Sequence, residues 1–115
     1  MLQKRTSLLR RMVSHGVRLV CGADAGIGPS KAHGKCAEAV IELGQVTGTL
    51  PALVAGSSGA AASIGLGRSK GRLRPGYDAD VLVVGGDLAA DLTALWHVRQ
   101  VMLRGVPVPP WSRQS

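Results

Sequence analysis

One carboxylate, that of Asp24, follows a short apolar run that is typical of a buried strand. The run Val17–Cys21 is mostly apolar and rich in β-branched residues, and Gly22 ends it. In parallel α/β folds, ligands and catalytic groups collect beyond the carboxyl ends of the strands. A carboxylate there can hold a metal ion or move a proton. Asp24 is therefore a candidate functional residue, although aspartate between glycines is also a common turn former.

The other chemistry-bearing residues form no complete site. His33 lies in a glycine-rich loop, Asp78 and Asp80 form a carboxylate pair at the entry of a predicted strand, and no His-x-His pair occurs anywhere. Cys21 and Cys36 match neither a Cys-x-x-Cys motif nor a disulfide framework, so we expect free, buried thiols in a reducing compartment.

The helices and strands that must position these residues can be predicted from the spacing of the apolar residues and from the glycines between them. Helices are predicted over 2–13 and 35–46, with a further helix from Thr49 that is interrupted at residues 56–59. Strands are predicted over 17–21, 79–84, 96–103 and 106–108, with a turn or short helix over 88–95. Trp96 and Trp111 are expected to be packing residues, and residues 109–115 a disordered tail.

Composition narrows the classes of function. The chain has 115 residues and a net charge of +7, but no aromatic residue is interleaved with its basic clusters, which argues against specific nucleic-acid binding. No apolar run reaches the roughly 20 residues needed to cross a bilayer, so we expect no membrane partner. The expected reducing compartment is the cytoplasm. With no phenylalanine and 16 glycines, the core should be thin.

The order of motifs along the chain resembles the C-terminal portion of the metal-dependent amidohydrolases. The resemblance rests on VCGADAG around Asp24, on the pair His33-Gly34, on KGRLRPGYDADVLVV over 70–84, and on VRQVMLRGVPV near the end. It extends from about residue 12 to 108 and leans towards the branch of imidazolonepropionases and Xaa-Pro dipeptidases. The chain departs from the family at Ala23, where threonine is usual.

The resemblance implies a fold and a chemistry. The fold class would be α/β: a C-terminal fragment of a TIM barrel (residues 1–66, the last helix-strand unit and following helices) and part of a small β-sandwich subdomain (67–108). Asp24 would be both a metal ligand and the catalytic acid-base, and His33 would contact a small-molecule amide substrate. The cofactor would be a divalent metal, expected to be zinc, bound only in a complete barrel. Asp78 and Asp80 would be structural.

A single carboxylate cannot hold a catalytic ion, because hydrolytic metal sites use three or four protein ligands. We therefore expect the isolated chain to be inactive and to depend on a missing N-terminal barrel portion. Two alternatives stay open: a small metal-binding domain that uses Asp24 and His33, with Cys21 or Cys36 as a further ligand, and a basic module for nucleic acid.

Overall fold

A computed structural model describes residues 2–23 and 35–109. Within these residues, four helices come first: α1 (Leu2–Ser14), α2 (Cys36–Thr47), α3 (Thr49–Gly56) and α4 (Ser58–Ser63). Three strands follow, β1 (Val81–Val84), β2 (Val98–Leu103) and β3 (Val106–Pro107), with a 3₁₀ helix over Leu92–Trp96 between β1 and β2. The strands form an antiparallel sheet in the order β1-β2-β3. The α/β class is confirmed at this level, with helices followed by a separate sheet.

Glycine ends the first helix where the sequence predicts it. Gly16 has a φ of 75°, and its N–H donates to Val13 O while Val17 N–H donates to Met12 O. This is the Schellman pattern, which satisfies the last carbonyls of a helix and needs a left-handed residue. The third helix, α3, begins at Thr49 as predicted, with Gly48 in the cap position and no side-chain hydrogen bond there.

The core lies between α2, α3 and the 3₁₀ helix. It consists of five buried side chains, Val40, Leu43, Ala52, Ala55 and Leu92. Leu92 reaches this layer because α2 carries glycine at position 44, where a Cβ would overlap Leu92 Cδ1. The 3₁₀ helix is held by Asp91, whose Oδ1 accepts from Thr93 N at 2.9 Å and from Thr93 Oγ1 at 2.7 Å. The hydrogen bond from the Thr93 hydroxyl lowers the pKa of the Asp91 carboxyl most, and the hydrogen bond from the Thr93 N–H lowers it further.

The thin core leaves a large surface. The accessible surface is 8710 Å² for a mass of 11.9 kDa, whereas a folded monomer of that mass exposes about 5,900 Å². Many large apolar side chains of the described residues are exposed, among them Trp96 at 43%. Trp96 is the last residue of the 3₁₀ helix, and its expected role as a packing residue stays a prediction. Trp111 lies outside the described residues, as does most of the predicted disordered tail.

The predicted strand 17–21 is absent as a strand within the described chain. The segment 17–23 carries backbone hydrogen bonds at its two anchor points, Val17 N–H to Met12 O and Cys21 N–H to Ala55 O. A parallel strand needs neighbours in a sheet, and the sheet of the described chain is formed by β1, β2 and β3 alone. The segment nevertheless keeps strand-like alternation, with Leu19, Cys21 and Ala23 half-buried between exposed neighbours.

Candidate functional site

The segment 17–23 leads directly to the position of Asp24. Leu19 and Cys21 pack against the core of α2 and α3, and the Cys21 N–H donates to Ala55 O at 2.9 Å. Asp24 and His33 both lie outside the described residues, in the interval between Ala23 and Lys35. Both ends of that interval are anchored on the same helical layer: Cys21, before it, bonds to α3, and α2 begins directly after it.

The two cysteines lie at the ends of this interval. Cys36 is the first residue of α2 and is exposed, so the prediction that it is buried is wrong. Cys21 is half-buried and free as predicted. Burial raises the pKa of the Cys21 thiol, and the nearby Cys36 thiol raises it further. A raised pKa keeps Cys21 protonated at neutral pH, which disfavours it as a metal ligand or nucleophile.

A cavity of about 200 Å³ opens between α1, α2 and residues 19–22. An ion pair between Arg5 and Glu42 lines it, with Arg5 Nη2 at 2.8 Å from Glu42 Oε2. The other carboxylate oxygen, Glu42 Oε1, is buried and has no hydrogen-bond partner within the described part of the chain. Such an atom carries a desolvation cost of about 1–3 kcal/mol or more unless a donor is supplied. Sequence reasoning missed this pair, because its members are 37 residues apart and share no motif.

The carboxylate pair Asp78 and Asp80 is structural, in agreement with the sequence analysis. Lys70 Nζ lies 3.0 Å from Asp78 Oδ2 and 2.7 Å from Asp80 Oδ2. Asp80 Oδ1 also accepts from the Arg104 N–H at 2.9 Å. Asp80 therefore joins the turn before β1 to the turn after β2, while Asp78 contacts Lys70 within the first of these turns.

The pKa values of this cluster follow from its hydrogen bonds. The bond from Lys70, followed by that from the Arg104 amide, lowers the pKa of Asp80. The bonds to Asp80 and Asp78 raise the pKa of Lys70. Each group is thus held in its charged form at neutral pH, where it serves as a salt-bridge partner. Asp80 is therefore not poised to exchange a proton with a substrate.

The described residues do not by themselves assemble a metal centre. Across 2–23 and 35–109, no three histidine, cysteine, aspartate or glutamate residues lie close enough to hold an ion together. No helix in the same part of the chain is long and apolar enough to cross a membrane.

Comparison with solved structures shows the same arrangement in larger proteins. A prolidase complexed with N-methylphosphonate-L-proline is similar over 92% of this chain, with a TM-score of 0.80 and 25% identity. A Bifidobacterium longum protein assigned as a prolidase is similar over 91%, with a TM-score of 0.78 and 28% identity. An Xaa-Pro dipeptidase with bound methionine, at 21% identity over 90% and a TM-score of 0.78, supports the fold alone.

The chain corresponds to a minor part of these proteins. It spans 26% of the length of the two prolidase structures and 25% of the Xaa-Pro dipeptidase. No curated protein matches the chain. The family model of the amidohydrolases matches residues 1–108, nearly its whole length. The resemblance inferred from the motifs around Asp24 and Asp80 is thereby confirmed: the chain belongs to the amidohydrolase family.

Proposed function

We propose that this chain is the C-terminal part of a metal-dependent amidohydrolase that cleaves C–N bonds, and that it is inactive until the rest of the barrel is supplied. Residues 1–66 would complete the barrel and residues 67–108 would form strands of the β-subdomain. Leu92 crosses that boundary, since it packs among α2 and α3. The completed enzyme would be cytoplasmic.

The observation that carries the proposal is the state of residues 17–23. Their side chains alternate between the helical layer and solvent, with Leu19 and Cys21 inward and Val20 exposed. Their backbone finds no strand partner within the described chain. A barrel strand without its neighbours has both properties. Its helix-facing side chains keep their contacts, while its backbone N–H and C=O groups lack the hydrogen bonds that the adjacent strands would supply. The unpartnered Glu42 Oε1 and the open cavity beside it fit the same interpretation.

The chemistry would centre on Asp24, which follows residues 17–23 as the catalytic aspartate follows a barrel strand. Active sites of such barrels lie at the carboxyl ends of the strands. A metal ion, when bound, would polarise the scissile carbonyl and lower the pKa of the attacking water. Asp24 would help to hold that ion, take the proton of the attacking water and return it to the leaving nitrogen. Zinc is the expected metal.

The substrate would be a small amide, and the structural relatives favour an Xaa-Pro dipeptide. One of them is a prolidase in complex with a phosphonate derivative of proline, and another is assigned as a prolidase. His33 would contact the substrate from the interval that follows Ala23. The basic residues of the chain would then be solvated surface charges, with no nucleic-acid partner.

Fragment reconstitution tests this proposal. A prolidase relative would be truncated before the segment that corresponds to this chain and mixed with the 115-residue chain in the presence of zinc. We expect hydrolysis of an Xaa-Pro dipeptide by the mixture, loss of that hydrolysis on chelation, and no hydrolysis by either component alone. The relative's own C-terminal segment, supplied separately, is the positive control. If that segment restores hydrolysis and this chain restores none, the proposed function is contradicted.

A further inference from the structure

Two free thiols, those of Cys21 and Cys36, flank the interval that holds Asp24. Cys21 is fixed on the helical layer, since its N–H donates to Ala55 O at 2.9 Å and its half-buried side chain packs against the core. Cys36 is the first residue of α2 and is exposed. The proposed hydrolysis uses neither thiol.

The side of α2 that faces the core brings Cys36 towards Cys21. Residues three and four apart lie on one side of a helix, so Cys36, Ala39 and Leu43 share a side. Cys21 packs against that side, because it lines the same cavity as Ala39 and Leu43. Ala39 is one helical turn from Cys36, about 4.5 Å along the helix axis. Cys36 therefore lies about one turn beyond the level at which Cys21 packs.

The electrostatic contact between the two thiols agrees with this placement. Burial is the first cause that raises the pKa of the Cys21 thiol, and the neighbouring Cys36 thiol is the second. The start of α2 is also free to adjust, since Lys35 makes no side-chain cap hydrogen bond within the described residues. A disulfide needs Cα atoms about 4.4–6.8 Å apart, and the N–H groups of a first helical turn have no partner within the helix that would resist a small shift.

We propose that Cys21 and Cys36 form a reversible disulfide with each other when the chain meets a small oxidising disulfide. The Cys36 sulfur, as a thiolate, attacks one sulfur of that molecule, and the other sulfur leaves as a thiolate and takes up a proton. Cys21 then loses its proton, attacks the Cys36 sulfur and releases the second small thiol. Two protein thiols are thereby oxidised, and one small disulfide is reduced to two thiols.

Exposure and acidity set the order of these steps. Cys36 is exposed and open to a reagent, whereas the raised pKa of the Cys21 thiol keeps it protonated at neutral pH. The thiolate is the nucleophile, so Cys21 reacts slowly with a reagent in solution. Once Cys36 carries the mixed disulfide, Cys21 meets it within the same molecule, at a high effective concentration. Cys36 is therefore modified first, and Cys21 closes the bond.

The bond would tie together the two ends of the interval that holds Asp24 and His33. Its formation needs only the residues on either side of that interval and does not depend on the amidohydrolase activity. Any effect of the bond on hydrolysis, in contrast, rests on the proposed function.

Oxidation of the full 115-residue chain by oxidised glutathione tests the proposal. We expect both thiols to disappear, the intact mass to fall by two hydrogen atoms, and the chain to stay monomeric on a non-reducing gel. Cys21→Ser should stop at the glutathione adduct on Cys36. Cys36→Ser, the matched variant, should take up glutathione at least about tenfold more slowly than Cys21→Ser.

The same measurement in urea separates the folded arrangement from chance closure. Two thiols this near in sequence also meet in an unfolded chain, at the cost of closing a flexible loop. Their effective concentration, obtained from the equilibrium with glutathione, should be at least about tenfold higher in buffer than in urea. Circular dichroism of the wild type and both variants verifies the folded state in buffer.

Several results would overturn the proposal. An effective concentration in buffer that is equal to or below the value in urea would mean that the fold does not bring the two thiols together. A wild-type chain that keeps glutathione on Cys36, forms covalent dimers instead or stays reduced would contradict it as well. These readings use no substrate, so they leave the proposed function unaffected, and a failed reconstitution would leave the disulfide unaffected.

Discussion

Replacing Asp24 with asparagine is expected to lower kcat/KM for an Xaa-Pro dipeptide by about 10²- to 10⁴-fold in the enzyme reconstituted from this chain and a truncated relative. Asparagine has the shape of aspartate but takes no proton from the attacking water, and its neutral amide is a weaker ligand for a cation. The loss should lie mainly in kcat, since the proton transfer belongs to the chemical step. Initial rates over a range of substrate concentrations measure both parameters.

Asp87→Asn is the matched control for that substitution. Asp87 Oδ1 accepts the Ala89 N–H at 3.1 Å in an exposed turn, and the oxygen of asparagine can accept the same hydrogen bond. The control should therefore retain full activity while removing the same charge. Equal activity of the Asp24→Asn and Asp87→Asn enzymes would show that Asp24 takes no part in catalysis.

Replacing Gly71 with alanine is expected to give the largest loss of stability in the turn before β1. Gly71 has a φ of 91°, and a Cβ there would lie 2.8 Å from Ser58 Cα, 2.9 Å from Ser57 O and 3.0 Å from Ala61 Cβ. Two of these atoms belong to the backbone and cannot rotate away. The left-handed conformation costs alanine about 1–2 kcal/mol, and the overlap adds about 1–3 kcal/mol.

Gly76→Ala separates the two contributions. Gly76 has a φ of 89°, almost the same as Gly71, but a Cβ there meets nothing within 4 Å. The control should therefore lose only the conformational part. Urea unfolding of the three proteins at one concentration gives the free energies of unfolding. If the two variants unfold at the same urea concentration, the close approach of the turn to α4 does not occur in solution.

Local features of the fold could be predicted from the sequence. The 3.6-residue periodicity indicates α1 and α2 correctly, and the interruption expected within residues 56–59 occurs at Ser57, between α3 and α4. Gly16 and the pair Arg104-Gly105 mark real turns, because their left-handed backbone is a local requirement that a few residues can specify. The structural role of Asp78 and Asp80 also followed from their motif.

Features that depend on distant residues could not be predicted. The insertion of Leu92 at Gly44 and the Arg5–Glu42 pair each join residues far apart in sequence, and no pattern encodes them. Residues 17–21 have the composition of a strand, but a strand forms only with partners, which the described chain does not offer. The candidate site could not be predicted from local patterns either. Asp24 was singled out by its position after an apolar run, but its role and that of His33 came from the resemblance, and both roles stay predictions because both residues lie outside the described ones.

The most direct test of the account is the binding of zinc by the isolated 115-residue chain, measured by equilibrium dialysis. The account holds that Asp24 is one ligand of a site whose other ligands belong to the rest of a barrel. It therefore predicts no tight, stoichiometric uptake by the chain alone, with uptake appearing when the truncated relative is added. Tight binding of one zinc ion per isolated chain would contradict it, because the ligands would then all lie within this polypeptide.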